Sequence, residues 1–425
     1  MIFTDLLFLL AFLPISVVIM LVLNENWEKN AASVLMSLVL LAWARPLYIA
    51  LIILPAVLVY AAGRLMDKKD SPAIYISASL LTLILGIVFA VSCGEGKSLS
   101  AGVTAAAIGL MTYKAYRYLT AVKKGMPCEE DFLTLCVYLI SYEFIFFNPL
   151  LDYETAREQI KNRSIKISSI SLGTEYFIAG LAESAILGLS LDRVRISAIH
   201  TDILPWGDLV IGILATALEC YIILDGFMRI SAGLATINGI RCIPETNGLI
   251  PRLSIRTHLN DIYPEITRDI PSGRALLGGL LGASAFAGCT VAFGNGGGII
   301  GFVLAGLMLV SLEGSGLFEK LFAIALALLG FFMTAMGGLD SLGRLSEIFS
   351  YGFDISYLLY EEIRVVIPWL IVALFCVSPM PRILAAMWRE RMYESPASYS
   401  VMRIIGIVAN TLLLGVSILA AIGLR

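Results

Sequence analysis

The residues from Trp206 to Gly239, WGDLVIGILATALECYIILDGFMRISAGLATING, place acidic and basic side chains inside an apolar run. At helical spacing Tyr221, Asp225 and Arg229 share one face, because residues four apart are neighbours on a helix. Asp225 and Arg229 neutralise each other there. Glu219 points roughly 120° away from Asp225 at 3.6 residues per turn, so it needs a separate partner. Such a set lines a polar pocket inside a bundle, or it reduces to one self-compensating ion pair plus a carboxylate in a wet crevice. The spacing leaves both open.

The chain has two histidines, His200 and His258. Either one acts as a general base only within hydrogen-bond reach of an acceptor hydroxyl; otherwise a lone loop histidine is simply solvated. Residues 294–301 read GNGGGIIG, and Gly296, Gly298 and Gly301 match GxGxxG. That pattern binds a dinucleotide only between a strand and a helix, and no βαβ unit surrounds it. Glycines four apart there instead suit close helix approach in lipid, or a helix broken where backbone faces a tunnel. The seven cysteines form no CxxC pair, which points away from a zinc site or a disulfide framework.

These groups must be carried by membrane helices. Of 425 residues 58% are hydrophobic and 15% charged, and mean hydropathy is +0.86. Charges this sparse do not cover a soluble surface of that size, and the composition excludes a disordered or fibrous chain. The net charge of −3 supplies no basic field for nucleic acid.

A helix needs about 20 mainly apolar residues to cross a bilayer. Runs at 2–23, 31–44, 46–63, 73–92, 99–118, 132–151, 170–191, 207–224, 276–292, 297–312, 317–337, 365–378 and 401–424 predict an all-α polytopic membrane protein. About nine to eleven of them span, the rest being re-entrant or interfacial. The first run lacks a basic leader and a small-residue cleavage site, so a retained span is expected. Pro46 disfavours helix at Arg45 and predicts a tight break between the second and third runs. The basic loops at Arg64, Lys68 and Lys69 and at Lys123 and Lys124 lie inside by the positive-inside rule, with the N-terminus outside the cytoplasm. Polar islands near 148–170 and 238–274 are expected as structured cytoplasmic loops of one membrane domain covering 1–425. Membrane lipid is the first partner.

Several segments, in order, resemble the membrane-bound O-acyltransferases, in the bacterial branch that modifies alginate and teichoic acid. They are MIFTDLLFLLAFLP, LAWARPLY, FFNPLLDYETAREQIKNRS, SLGTEYFIAGLAESAILGLSL, LDGFMRISAGLATINGIRCIPETN and GFVLAGLMLVSLE. The resemblance spans nearly the whole chain and implies that family's helical bundle. It implies a cytoplasmic acyl thioester donor (acyl-CoA or an acyl carrier protein), with no bound cofactor. It also implies an acceptor hydroxyl on the outer side, an esterase-like extracytoplasmic partner, and residence in a bacterial cytoplasmic membrane.

The chain departs from the family where chemistry occurs. Counting back from Glu313, the family's intramembrane histidine falls on Phe293, and a second histidine-glycine pair falls on Ala305-Gly306. A phenyl ring accepts no proton. Asn295, two residues on, hydrogen-bonds but is not a base. Three readings follow. In the first, the chain is a catalytically degenerate scaffold or passage in envelope-polymer modification. In the second, it is an active O-acyltransferase whose base is His258 or Glu219, with Tyr221, Asp225, Arg229 and Asn295 along the substrate tunnel. In the third, it is a transporter.

Overall fold

The computed structural model of the chain describes residues 5–44, 46–68, 72–94, 111–112, 114–144, 153–199, 205–240, 354–377 and 396–423. Regular structure among them is all helical, with no strand. A π-helical turn at Phe8–Phe12 runs into α1 (Leu13–Val22). Then follow α2 (Asn26–Ala44), α3 (Leu47–Lys68) and α4 (Pro72–Gly94). Residues 114–123 are helical, and α5 (Phe132–Ile140) and α6 (Tyr153–Lys161) come next. A second π-helical turn, Glu183–Gly188, joins α7 (Ile167–Ala182) to α8 (Leu189–Ile199). Further on are α9 (Trp206–Ile237), α10 (Tyr357–Val377) and α11 (Pro396–Gly423).

The second helix ends at Ala44 and the third begins at Leu47, so the chain breaks where Pro46 predicts. Two runs differ from the expected spans. Among the described residues of 132–151 the helix covers nine, Phe132–Ile140, about 14 Å at 1.5 Å per residue. Ser141 turns extended at ψ 141°, which ends it and aims Tyr142 and Glu143 back into the protein. Conversely, α9 holds 32 residues, about 48 Å, well past the ~30 Å of a hydrocarbon core.

Local chemistry sets these ends. Asp131 caps α5, its carboxylate accepting from the N–H groups of Leu133 and Thr134 at 3.0 and 3.2 Å. Asp131→Ala is expected to cost about 0.5–2 kcal/mol in a thermal unfolding experiment, the usual worth of an N-cap. Helix 114–123 closes on Gly125 (φ 104°), with Met126 N–H donating to the Ala121 carbonyl. The ninth helix closes the same way on Gly239 (φ 84°), with Ile240 N–H donating to Ala235. Both are the left-handed glycine stop that satisfies a helix's last carbonyls.

Two packings among the described residues carry the charged side chains. One gathers α2 to α6 around buried Tyr118, Tyr138 and Tyr153, whose rings meet edge to face at 4.8 and 5.0 Å. The other is the antiparallel pair α7 and α9. Gly173 lies against Gly233 and Gly180 against Gly226, so close that a Cβ on Gly173 meets the Gly233 carbonyl oxygen at 2.6 Å. Seven-residue spacing on both helices keeps the bare glycine faces in register, the small-residue approach by which helices pack in lipid. Outside, large apolar side chains stay uncovered, Val22 at 71% and Leu412 at 66% exposure among them. Within α11, Arg403–Ile422 is long and apolar enough to cross a membrane, at mean hydropathy 2.3.

Candidate functional site

Among the described residues, three buried carboxylates, Glu129, Glu143 and Glu219, are each met by a basic side chain from elsewhere in the chain. Glu143, placed by the turn after α5, is fully buried against the fully buried Arg163 just past α6. The guanidinium donates to both carboxylate oxygens, Nη1 to Oε1 at 3.3 Å and Nη2 to Oε2 at 3.1 Å. Ser33 of α2 donates to Oε1 at 2.9 Å and accepts from Arg163 at 3.1 Å. Asn238, at the end of α9, donates to the same Oε1 at 2.7 Å and to the Tyr142 hydroxyl at 2.8 Å. One carboxylate therefore ties together α2, α5, α6 and α9.

Glu129, in the turn before α5, is also buried. Arg157 Nε lies 2.7 Å from its Oε2 and Lys161 Nζ 3.0 Å from its Oε1. The Tyr153 hydroxyl donates to Oε2 at 2.8 Å, and the Asp131 N–H donates to Oε1 at 3.1 Å. Burial alone raises a carboxyl, but the hydrogen bonds from Lys161, Asp131 and Tyr153 and the charge of Arg157 outweigh it. Glu129 is held below its ordinary value of 4.5. A carboxyl depressed by folding contributes stability above its unfolded pKa and loses it as pH falls through the folded value. The wild-type unfolding temperature is therefore expected to drop as pH falls below about 4.5, while Glu129→Gln starts lower at neutral pH and declines less. Parallel profiles for the two proteins contradict that assignment.

The third node holds the sequence-derived candidate. Glu219 of α9 finds its separate partner in Arg195 of α8, with Nε donating to Oε2 at 3.0 Å. Arg195 also binds Asp192 one turn earlier. Two carboxylates thus share one guanidinium. Glu219 Oε1 is buried and, among the described residues, has no hydrogen-bond partner. Nearer the start of α9, buried Asp208 accepts from Ser356 N–H at 2.9 Å and so fixes the entry to α10.

Arg229 pairs with Glu183 of the π-helical turn, Nε to Oε2 at 3.1 Å, and its expected pairing with Asp225 involves a side chain outside the described residues. Tyr221 and Asp225 lie on α9, but their side chains are outside the described residues, as are His258, Phe293 and Asn295. Among the described residues no cluster of histidine, cysteine and carboxylate has the makings of a metal site. Sequence reasoning passed over Glu143, Glu129 and the glycine pairs. The available signal was the presence of Glu143 inside an apolar run, which demands a partner; the basic residues of 157–163 follow closely.

Among the described residues, fold and site together define a helical protein whose buried charges hold elements to one another, with carboxylate oxygens left over at Glu219 and Asp208. The chain is similar to a probable alginate O-acetylase of Pseudomonas fluorescens, 23% identical over 252 residues, 57% of this chain. The match covers 50% of that relative's length. No protein-family model matches the chain.

Proposed function

We propose that the chain is a multi-pass protein of a bacterial cytoplasmic membrane, built on the framework of the membrane-bound O-acyltransferases. In this reading it serves acyl modification of an envelope polysaccharide as a scaffold or passage. The similarity to the probable alginate O-acetylase carries the proposal. The uncovered apolar faces and the span at Arg403–Ile422 support membrane residence. Phe293 stands at the position aligned with the family's histidine, so this chain holds and separates substrates rather than taking the acceptor's proton. An acyl carrier protein or acyl-CoA on the cytoplasmic side and an esterase-like partner outside complete the pathway.

The test reconstitutes the purified chain in liposomes with an acetyl thioester and alginate. No ester above the protein-free background is expected. Cells without the chain are expected to lose polymer acylation. Ester formed by the purified chain overturns the scaffold reading.

The unpartnered Glu219 Oε1 favours a second reading, an active O-acyltransferase. There the acceptor hydroxyl attacks the thioester carbonyl, Glu219 takes the hydroxyl proton and the thiol leaves. Glu219→Gln then lowers ester formation by about 10²–10⁴-fold, the usual worth of a general base. Ester formation that survives Glu219→Gln and His258→Ala together excludes both residues as the base.

A further inference from the structure

The end of α3, the start of α4 and residues 122–127 line a cleft of about 450 Å³ that none of the chemistry above uses. Met66, Val122 and Met126 supply apolar walls, Asp67 stands at one edge, and Tyr75 and Lys123 face each other across it. The Lys123 ammonium sits 4.4 Å from the centroid of the Tyr75 ring, whose hydroxyl bonds Thr120 at 3.1 Å. This cation–π contact holds the ammonium in place without neutralising it. Lys123, its exposed neighbour Lys124 and exposed Lys68 have no carboxylate partner among the described residues. Pro72 opens α4 at the cleft, so the positive end of a 23-residue helix adds to the lysines. Beyond Tyr75, α4 exposes large apolar side chains among its described residues. Ile76 is 52% exposed, Leu80 47% and Ile84 52%, a stripe with one residue per helical turn running away from the cleft.

An anionic head joined to a long apolar tail matches this pairing of one held lysine and its exposed neighbours with an apolar stripe. We propose that the cleft holds the phosphate headgroup of an anionic phospholipid, whose acyl chain lies along Ile76, Leu80 and Ile84. Lys123 and Lys124 donate to the phosphate oxygens, and Met66 and Met126 enclose the glycerol. The proposal rests on the membrane reading above and goes beyond it, because it assigns a lipid class and a site.

Thermal unfolding of the full chain in detergent, titrated with phosphatidylglycerol, phosphatidylcholine or soluble glycerol phosphate, tests it. Phosphatidylglycerol is expected to raise the midpoint, with the other two having little effect. Lys123→Ala with Lys124→Ala is expected to weaken the phosphatidylglycerol response roughly thirtyfold, at ~1 kcal/mol for each lysine near an anionic surface. The paired arginine variant is expected to keep it. Equal stabilisation by phosphatidylcholine, or by glycerol phosphate, overturns the site. So does an unchanged response in the alanine variant, which means that the lysines only complement helix ends. If that variant does not fold, the three-ligand comparison on the wild type decides alone. Alkaline extraction separates the two failures. A chain released as soluble protein sinks the membrane reading; one retained without headgroup preference sinks this proposal only.

Discussion

Glu143→Ala is expected to cost about 3–5 kcal/mol, enough to unfold most of the chain at moderate temperature. The variant leaves the Arg163 guanidinium buried with no carboxylate, and both side chains are fully buried in the native state. It also strips Ser33 and Asn238 of the acceptor they share. Among the described residues Arg163 Nε already lacks a hydrogen-bond partner, so losing the carboxylate leaves the guanidinium still less satisfied. Removing both charges tells a different story. Glu143→Leu with Arg163→Met is expected to recover most of the loss, because a buried ion pair contributes little net stability over an apolar pair of similar size. A double-mutant cycle on unfolding in detergent reads the coupling directly. A loss under about 1 kcal/mol for Glu143→Ala means that Arg163 reaches water and the node is not dry.

That node shows why the sequence reads unevenly. Composition gives an all-helical chain, and Pro46 gives the break between α2 and α3, because both follow from local chemistry. The charged face of α9 is legible for the same reason: helical spacing alone separates Glu219 from Arg229. The partners are not. Arg195 lies 24 residues before Glu219, and Glu183 lies 46 before Arg229. Only tertiary packing brings them together. The apolar run at 132–151 reads as a crossing by hydropathy, yet its helix stops at Ile140, because Glu143 turns inward to an arginine that hydropathy cannot see. The polar stretch after residue 148 reads as a structured loop, but hydropathy does not show what it closes over. In the fold its Tyr153, Arg157, Lys161 and Arg163 close over Glu129 and Glu143. Charge in this chain marks attachment points as well as loops.

Gly180→Ala is expected to be nearly as damaging, although it adds a single methyl group. The new Cβ runs into the Gly226 carbonyl oxygen and comes within 2.7 Å of Ile230 N and 2.8 Å of Arg229 Cβ. Two of those three obstacles are backbone atoms and the third is a Cβ, so no rotamer change makes room. The α7–α9 pair must move apart. Overpacking of this kind costs about 1–3 kcal/mol and sometimes more. Separation also lengthens the Arg229–Glu183 contact, which closes the same crossing at 3.1 Å. Gly406 and Gly415 of α11 supply the control, since among the described residues a Cβ there meets nothing within 4 Å. Alanine at either is expected to be neutral, or stabilising by up to ~1 kcal/mol through helix propensity. The difference between the two classes of glycine, measured as unfolding midpoints under one condition, isolates the crossing from any general preference for alanine. If Gly180→Ala behaves like Gly406→Ala, the helices do not touch backbone to backbone. The seven-residue glycine register would then have no packing role.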